Sequence, residues 1–471
     1  MGVQLTLDDL RAAVTGTAAA FRCRSKLRPI GDDGDKVFPP TYTGGVYAVE
    51  DRRINGRVVR CVLLDSVQSQ ANRMEEVLQD AFLPNWREMP DDGDTVCGLP
   101  MVAVHVAGHG WVTSLTAPHR IHDAILRDSN DGAGTRFRDS AIGQEIVDAR
   151  LHNAGAFYRY CPTALLFGTW DSAGGEGLDS AKIPRAVVSE IVGVDFTAGV
   201  RTGSRLDPLG IKAQSATIYR RGDGGWAFQD GDEWVGAQPK ELDTDSAGEP
   251  KKFKKGRPSD INHGNVTPDL NRFGDRREVT KQHLDQLPDI LRSQPGSPVP
   301  IKAFAVRPGG VTIDYALHTW TLSVTQLRRL RFPVGENPNE ERNICARTVL
   351  AALAIYALAL QRERGYWLRS RCELVPETGA ELFQVPTGGG TDSPFDVPRF
   401  EAARQLLDSA LRDAGLTEGS ARTGIQWHPT VVRLTPMEQL RRLVELSDNL
   451  SSGEAEAELE EAQAPDVGDQ D

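Results

Sequence analysis

In the stretch FRCRSKLRPI, residues 21–30, a cation stands at every second position from Arg22 to Arg28. Helical geometry would scatter these charges around a cylinder. A strand places Arg22, Arg24, Lys26 and Arg28 on one side and Phe21, Cys23, Ser25 and Leu27 on the other. The chain is thereby expected to hold a sheet with one face packed into a core and the other offered to a polyanion.

Length and composition bound what that sheet belongs to. The 471 residues allow two to four domains or one elaborated fold, and 39% hydrophobic with 25% charged residues is an ordinary globular balance. The longest apolar run, Val349–Leu360, is shorter than a bilayer crossing needs and reads as a buried helix. The amino terminus lacks a secretion-signal pattern, so a cytoplasmic location is expected. Cysteines 23, 61, 97, 161, 345 and 372 form no C-x-x-C pair, which argues for reduced packing residues rather than zinc ligands or disulfides.

The formal charge of −12 argues against a polyanion partner only if it is evenly spread. It is not. The last 21 residues hold eight acids and no Lys or Arg, and removing those eight charges leaves −4 for the body. Basic islands stand out against that near balance: residues 200–205 (VRTGSR), 251–257 (KKFKKGR), 327–332 (LRRLRF) and 362–371 (RERGYWLRSR). Several carry an aromatic among the cations, as phosphate pairing plus base stacking would require. For any single island, solvated loops and helix faces are the simpler account.

The pattern along the chain is that of an interrupted α+β protein. Thr6 and Asp9 have the spacing of a helix start leading into the basic strand, and Asn55-Gly56 joins two strand-like runs as a hairpin turn. Residues 66–82 have helical periodicity, with Asp65 and Gln68 as capping partners. The first turns of that helix carry Ser66, Gln68, Ser69, Asn72 and Arg73, donors suited to a phosphate or ribose near a helix start, while Glu75 and Glu76 read as solvent-facing. Within Cys161–Phe196, two apolar runs, both strand-like, flank a Gly-rich loop that brings in Trp170, Asp171, Ser172, Lys182 and Arg185. Its glycines, Gly174, Gly175 and Gly177, fit neither a Rossmann fingerprint nor a P-loop, so no nucleotide cofactor is expected.

From 207 to 300 the composition shifts to Gly, Asp, Lys and Pro, with a small hairpin at RRGDGGWAFQDGDEW and an exposed arm carrying Lys251, Lys252, Phe253, Lys254, Lys255 and Arg257. Residues 311–323 read as a strand and Asn343–Arg364 as a buried helix closed by Gly365. Two further helices are expected, over 400–413 and 436–446, the second opened by Thr435 and Pro436.

Catalytic patterns are weak. The sequence has no G-x-S-x-G and no H-E-x-x-H. His105 and His109 fall on a strand and turn that would not bring two ligands together, and His119 and His122 lack a Cys or carboxylate partner. Asp32, Asp33 and Asp35 remain as carboxylates that could hold a divalent ion beside a phosphate-binding strand, although an Asp/Gly-rich turn explains them as well.

Three segments, LLDSVQSQANRMEE, RCRSKLRPI with the following FPPTY, and FGTWDSAGGEGLDSAKIPRAVVSEIVG, resemble the backbone subunit of type I-G (formerly I-U) CRISPR Cascade effector complexes, the Cas-seven branch of the RAMP superfamily. The resemblance runs in order over about residues 15–370. It implies an RRM-like (ferredoxin-like) antiparallel sheet core with large insertions and additional helices. With it the chain reads as one elaborated domain over 1–450 with an inserted arm or thumb around 207–300; the detail of that insertion and the acidic tail at 451–471, expected from its composition to be disordered, fall outside the resemblance. The implied role is non-catalytic: copies of the chain polymerise along a crRNA in a prokaryotic cytoplasm, so that its bases can pair with target DNA. The implied partners are a large Cascade subunit, a fused Cas-five and Cas-six type subunit and a recruited helicase-nuclease, with no membrane.

On this reading Arg22, Arg24, Lys26 and Arg28 lie under guide-RNA phosphates. Ser66, Gln68, Ser69, Asn72 and Arg73 stand beside them. Trp170, Lys182, Arg185 and Lys251–Lys254 serve as inserted or target-strand elements. Two alternatives stay open: a metal-dependent RNA endonuclease using Asp32, Asp33 and Asp35, and an assembly protein that binds no nucleic acid.

Overall fold

The computed structural model describes residues 3–42, 46–90, 92–171, 182–199, 211, 215–245, 248–254, 256–261, 309–334, 339–377, 379–417 and 424–449. The chain is α+β and divides into two compact units, residues 1–199 with 310–441 and residues 200–309 with 442–471. The acidic tail, the glycines 174, 175 and 177, Ser172, Lys255 and the island at 200–205 lie outside the described residues.

In the first unit, helix α1 (Leu7–Thr15) opens with the expected capping box, Thr6 and Asp9 bonding each other's backbone N–H. Strand β1 (Ala18–Pro29) follows after two residues. Its burial alternates as the sequence requires: Phe21, Cys23, Ser25 and Leu27 are buried, while Arg24 and Lys26 are exposed and Arg22 and Arg28 half-buried. Strands β2 (Val49–Ile54) and β3 (Arg57–Asp65) form the hairpin around Asn55 and Gly56, whose φ angles of 49° and 79° suit the left-handed turn that the Asn-Gly pair favours. Helix α2 (Val67–Phe82) comes next, then strands β4 (Val187–Val194) and β5 (Tyr315–Ser323). Helix α3 (Glu340–Arg364) starts three residues before the expected Asn343, because Asn339 caps it, and it ends at Gly365 as expected.

Strands β6 (Tyr366–Arg369), β7 (Cys372–Pro376), β8 (Glu381–Pro386) and β9 (Ser393–Asp396) and helix α4 (Phe400–Asp413) complete the main body. The sheet order is β6-β7-β1-β5-β4-β3-β2, with β8 pairing the first half of β1 and carrying β9. Every pairing in this sheet is antiparallel. Helix α3 alone among the described helices is long and apolar enough to cross a membrane, but nearly all of it is buried inside the protein.

The sheet curls. Leu27, Val62, Leu64 and Ile191 share one core cluster with Tyr366, Leu368 and Leu374, although β3 and β6 stand near opposite ends of the strand order. Two arginines fasten the approach. Arg73 Nε donates to Asp65 at 2.9 Å and its terminal nitrogens reach the carbonyls of Leu368 (2.5 Å) and Trp367 (3.3 Å). Arg369 donates to Asp65 at 3.1 Å and to the Leu64 carbonyl at 2.7 Å. Arg73, expected at a phosphate, thus holds the sheet edge.

A buried polar chain continues inward from this clasp. Gln70 donates to Asp65 at 2.7 Å and accepts from the Ser189 hydroxyl and Gln361, both at 2.9 Å. With its proton given to Gln70, Ser189 Oγ accepts at 2.9 Å from His318 Nε2, which fixes the imidazole as the Nε2–H tautomer with Nδ1 accepting from the Tyr366 hydroxyl. Burial, then the Arg362 charge, pushes the His318 pKa down to about 3. Between its unfolded value near 6.5 and that folded value, only the unfolded chain takes the proton. The stabilisation is full above pH 6.5 and is lost as the pH falls towards 3, at about 1.4 kcal/mol per pH unit. Denaturant titrations at pH 7.5 and 5.5 are expected to show a smaller acid loss for His318→Gln than for the native chain.

Some local expectations fail for identifiable reasons. The N-cap of α2 is Ser66, not Asp65, and Ser66 Oγ accepts from Ser69 N–H; Asp65 is the buried end of β3. Residues 161–167 are not a strand: Cys161 ends the helix Gly155–Tyr160, and Thr163–Phe167 forms a helical turn. Thr435 and Pro436 close the strand Val432–Pro436, which pairs in parallel with Val102–Val106, and the helix begins at Glu438.

In the second unit, Ile218–Arg220, Trp226–Asp230 and Glu233–Val235 form a three-stranded meander, extending the expected hairpin. The segment expected as an exposed arm lies along its edge. Phe253 N–H donates to Ile218, Ile218 N–H to Gly256 and Arg220 N–H to Lys251, which pairs Lys251, Phe253 and Gly256 with the first strand of the meander.

Candidate nucleic-acid interface

The outward face of the first unit's sheet gathers side chains from β1, β5, β4 and β8. Register sets Arg22 beside Thr321 and Phe383, Arg24 beside Thr319 and Glu381, and Lys26 beside Leu317. Thr321 and Thr319 stand in turn beside Val188 and Glu190. This yields rows of cation, hydroxyl and aliphatic or acid. The threonines and Tyr315 were not singled out from sequence, although the alternation in residues 315–323 carries that information.

The four cations are not equivalent. Arg22 is held by Asp392 at 2.5 Å and lies 5.7 Å from the Phe383 ring centre. Arg28 pairs with Asp32 at 3.2 Å. Among the described residues Arg24 and Lys26 close no ion pair; Glu381 stands opposite Arg24 without reaching it, and the Lys26 ammonium rests 4.3 Å over Tyr315. The acid in the middle of the face, Glu190, is neutralised by Arg52 at 2.6 Å. The centre of the candidate interface is therefore Arg24 and Lys26, with Thr319 beside Arg24 and Thr321 one row on, beside Arg22, as hydroxyl donors.

Of the α2 residues, Gln68 and Asn72 are exposed, whereas Ser66 and Ser69 are engaged in the cap and Arg73 in the clasp. Glu75 is not solvent-facing. It is 1% exposed and receives Arg120 Nε and a terminal nitrogen, both at 2.7 Å. Burial outweighs that partner and moves the Glu75 pKa up to about 7. Glu76 is exposed as expected.

Trp170 and Lys182 do come together. They face each other in a short antiparallel ladder, with the ammonium 5.7 Å from the indole ring centre. Arg185 is half-buried and donates to the Phe167 carbonyl, a structural position. Lys252 and Lys254 are exposed on the second unit, while Lys251 and Phe253 are half-buried along its ladder. Most other basic islands are absorbed by the fold: Arg328 caps backbone carbonyls of residues 13, 16 and 18, Arg362 reaches Ser25, and Arg364 pairs with Asp80.

The acidic loop after β1 is exposed. Asp32 turns the chain at a φ of 72° and pairs with Arg28, and Asp35 accepts from Lys36 N–H. Among the described residues no group of three or more His, Cys, Asp or Glu converges as a metal site. His122 is largely buried, its pKa pushed down to about 4 chiefly by that burial. All six cysteines are buried free thiols.

Comparison with known proteins places one part of the chain. Residues 21–198, somewhat over a third of the length, match the family model described as CRISPR-associated protein GSU0053. No curated protein matches the chain. Among solved structures, the crystal structure of Thermofilum pendens Csc2 aligns over 88% of this chain and 81% of that one, at 10% identity and a TM-score of 0.26. A likeness at that level carries no inference about fold or role.

Proposed function

We propose that the chain is a Cas-seven type backbone subunit of a CRISPR effector complex, of the type I-G branch. In this reading it is non-catalytic and holds a single-stranded guide RNA by its phosphates across the outward face of β1, with further copies and the other Cascade subunits along the same RNA. The observation that carries the reading is the β1 face itself. Arg24 and Lys26 are exposed and free of ion pairs among the described residues, Arg24 stands beside Thr319, and both lie inside the segment that matches a CRISPR-associated family. Such a face meets a phosphate backbone with charge and hydroxyl donors and no sequence readout.

An RRM-like core is part of the proposal. Counting β1, β4, β5 and β7 as the first to fourth strands, the order is fourth-first-third-second. Among the described residues the long helix α2 falls between the first and second strands, followed by four shorter ones, and α3 falls between the third and fourth, after the single turn Val324–Leu327. The strand order and the placing of α2 and α3 support a β-α-β-β-α-β core, to which the further helices and the β2–β3 hairpin beside the second strand are additions.

The test is RNA binding by the full chain as a function of salt, with magnesium present and RNA integrity followed. The native chain is expected to bind intact single-stranded RNA with a steep salt dependence. Arg24→Ala with Lys26→Ala is expected to flatten the log–log slope by about 1.4, two phosphate contacts at roughly 0.7 each. Equal slopes would return the stripe to a solvated strand face. Magnesium-dependent cleavage abolished by Asp33→Ala would make the acidic loop an active site.

A further inference from the structure

Trp170 is the most exposed large aromatic but one among the described residues, at 58%, yet its neighbours in sequence are fixed. Thr169 and Asp171 are 7% and 2% exposed, and Asp171 pairs with Arg138 at 2.8 Å. Before them, Gly168 sits at a φ of 80°, where a Cβ would come within 2.8 Å of the Arg185 side chain. Its carbonyl accepts from Arg120 at 3.2 Å, the same guanidinium that grips Glu75. On the return side Ile183 is buried and Ala186 N–H donates to Leu166. An indole is thus displayed on a stem pinned from both sides, although burying it would have been favourable.

A cation stands at that indole. Lys182 is exposed, with its ammonium 5.7 Å from the ring centre, and the acid next to Trp170 in the chain, Asp171, is buried and paired with Arg138. A flat apolar ring with a cation beside it matches an unpaired base joined to a phosphate, and its fixed stem loses little freedom on binding. The return strand leads at Val187 into β4, which shares the outward sheet face with the Arg24 and Lys26 rows.

The geometry points to Trp170 as a stacking platform for one unpaired nucleobase of a single-stranded nucleic acid, with Lys182 taking the adjoining phosphate; this rests on the RNA-binding reading above. The experiment measures affinity of the full chain for a uridine oligonucleotide and for an RNA duplex of equal length, in native, Trp170→Phe and Trp170→Ala forms. Stacking on one base predicts about 5- to 150-fold weaker single-strand binding for Trp170→Ala. Trp170→Phe should retain most of the affinity, the duplex should be unaffected, and the salt slope should not change because no charge is removed. Native-like single-strand affinity in Trp170→Ala, with the Arg24/Lys26 variant still impaired, overturns the stacking role alone. Absence of RNA binding in the native chain overturns both. A change in sedimentation of Trp170→Ala without RNA would assign the indole to contact between copies, and would likewise overturn the stacking role.

Discussion

Asp65→Ala is expected to destabilise the first unit by about 3–5 kcal/mol, the range for removing one partner of a buried ion pair. Asp65 is fully buried and accepts from Gln70, Arg73 and Arg369. Deleting its carboxylate leaves two guanidinium groups, each with about a quarter of its side chain exposed, facing carbonyls alone. The same change frees Gln70, whose other contacts run to Ser189 and thence to His318. Because Arg73 and Arg369 bind β6 and the β3–α2 junction together, the loss should open the curled sheet along that seam. Hydrogen exchange should therefore rise first at Tyr366–Arg369 and at Leu64–Gln70. Arg73→Met leaves Arg369 on Asp65 and is expected to cost less in the same denaturant titration. Equal stability of Asp65→Ala and the native chain would mean that the core cluster alone closes the sheet.

Arg73 also shows where sequence reading stops. Its position among polar residues at a helix start is that of an anion ligand, and the nearby Asp65 that accepts from its Nε reads in sequence as a cap. The rest of the clasp is a pair of carbonyls 294 and 295 residues away, which no local pattern encodes. Glu75 differs, because periodicity does carry a signal: it stands four residues after Ala71 and three before Leu78, on the buried face of α2, although its partner Arg120 lies 45 residues on. The islands at 327–332 and 362–371 were consumed by caps and cross-chain pairs that no spacing encodes.

By contrast, β1, the Asn55-Gly56 hairpin, the Thr6–Asp9 box and α4 are fixed by periodicity and local hydrogen bonding, and each falls where the residues indicate. Residues 161–167 lie between these cases. A short apolar run suits a buried strand or a buried helical turn, and here tertiary packing chose the helix. The candidate interface was half legible for this reason: alternation gave the face, but only the ion pairs of Arg22 and Arg28 narrow it to Arg24 and Lys26.

Arg120→Met should also cost about 3–5 kcal/mol at pH 8, and distinctly less at pH 5. The pH dependence follows from Glu75, whose folded pKa is raised to about 7 mainly by burial. Between about 4.5 and 7 the folded chain holds a proton that the unfolded chain has released. Its contribution is present below pH 4.5 and is lost as the pH rises through 7, the opposite sense to His318. The difference between the native chain and Glu75→Gln, taken at each pH, isolates this slope from that of the histidines. With Arg120 gone, burial acts on Glu75 without that opposing charge and holds the carboxyl protonated in the folded chain, which costs more at pH 8, where the unfolded carboxyl is ionised, than at pH 5. Removing both charges, in Glu75→Leu with Arg120→Met, is expected to recover much of the loss, because a buried pair exchanged for apolar groups is often neutral. Yet that double variant still lacks the donor to the Gly168 carbonyl at the root of the Trp170 stem. Restored stability with weakened single-strand RNA binding would therefore show that the buried pair serves to hold the indole in place. Restored stability with native affinity would leave that task to Asp171 and Arg138.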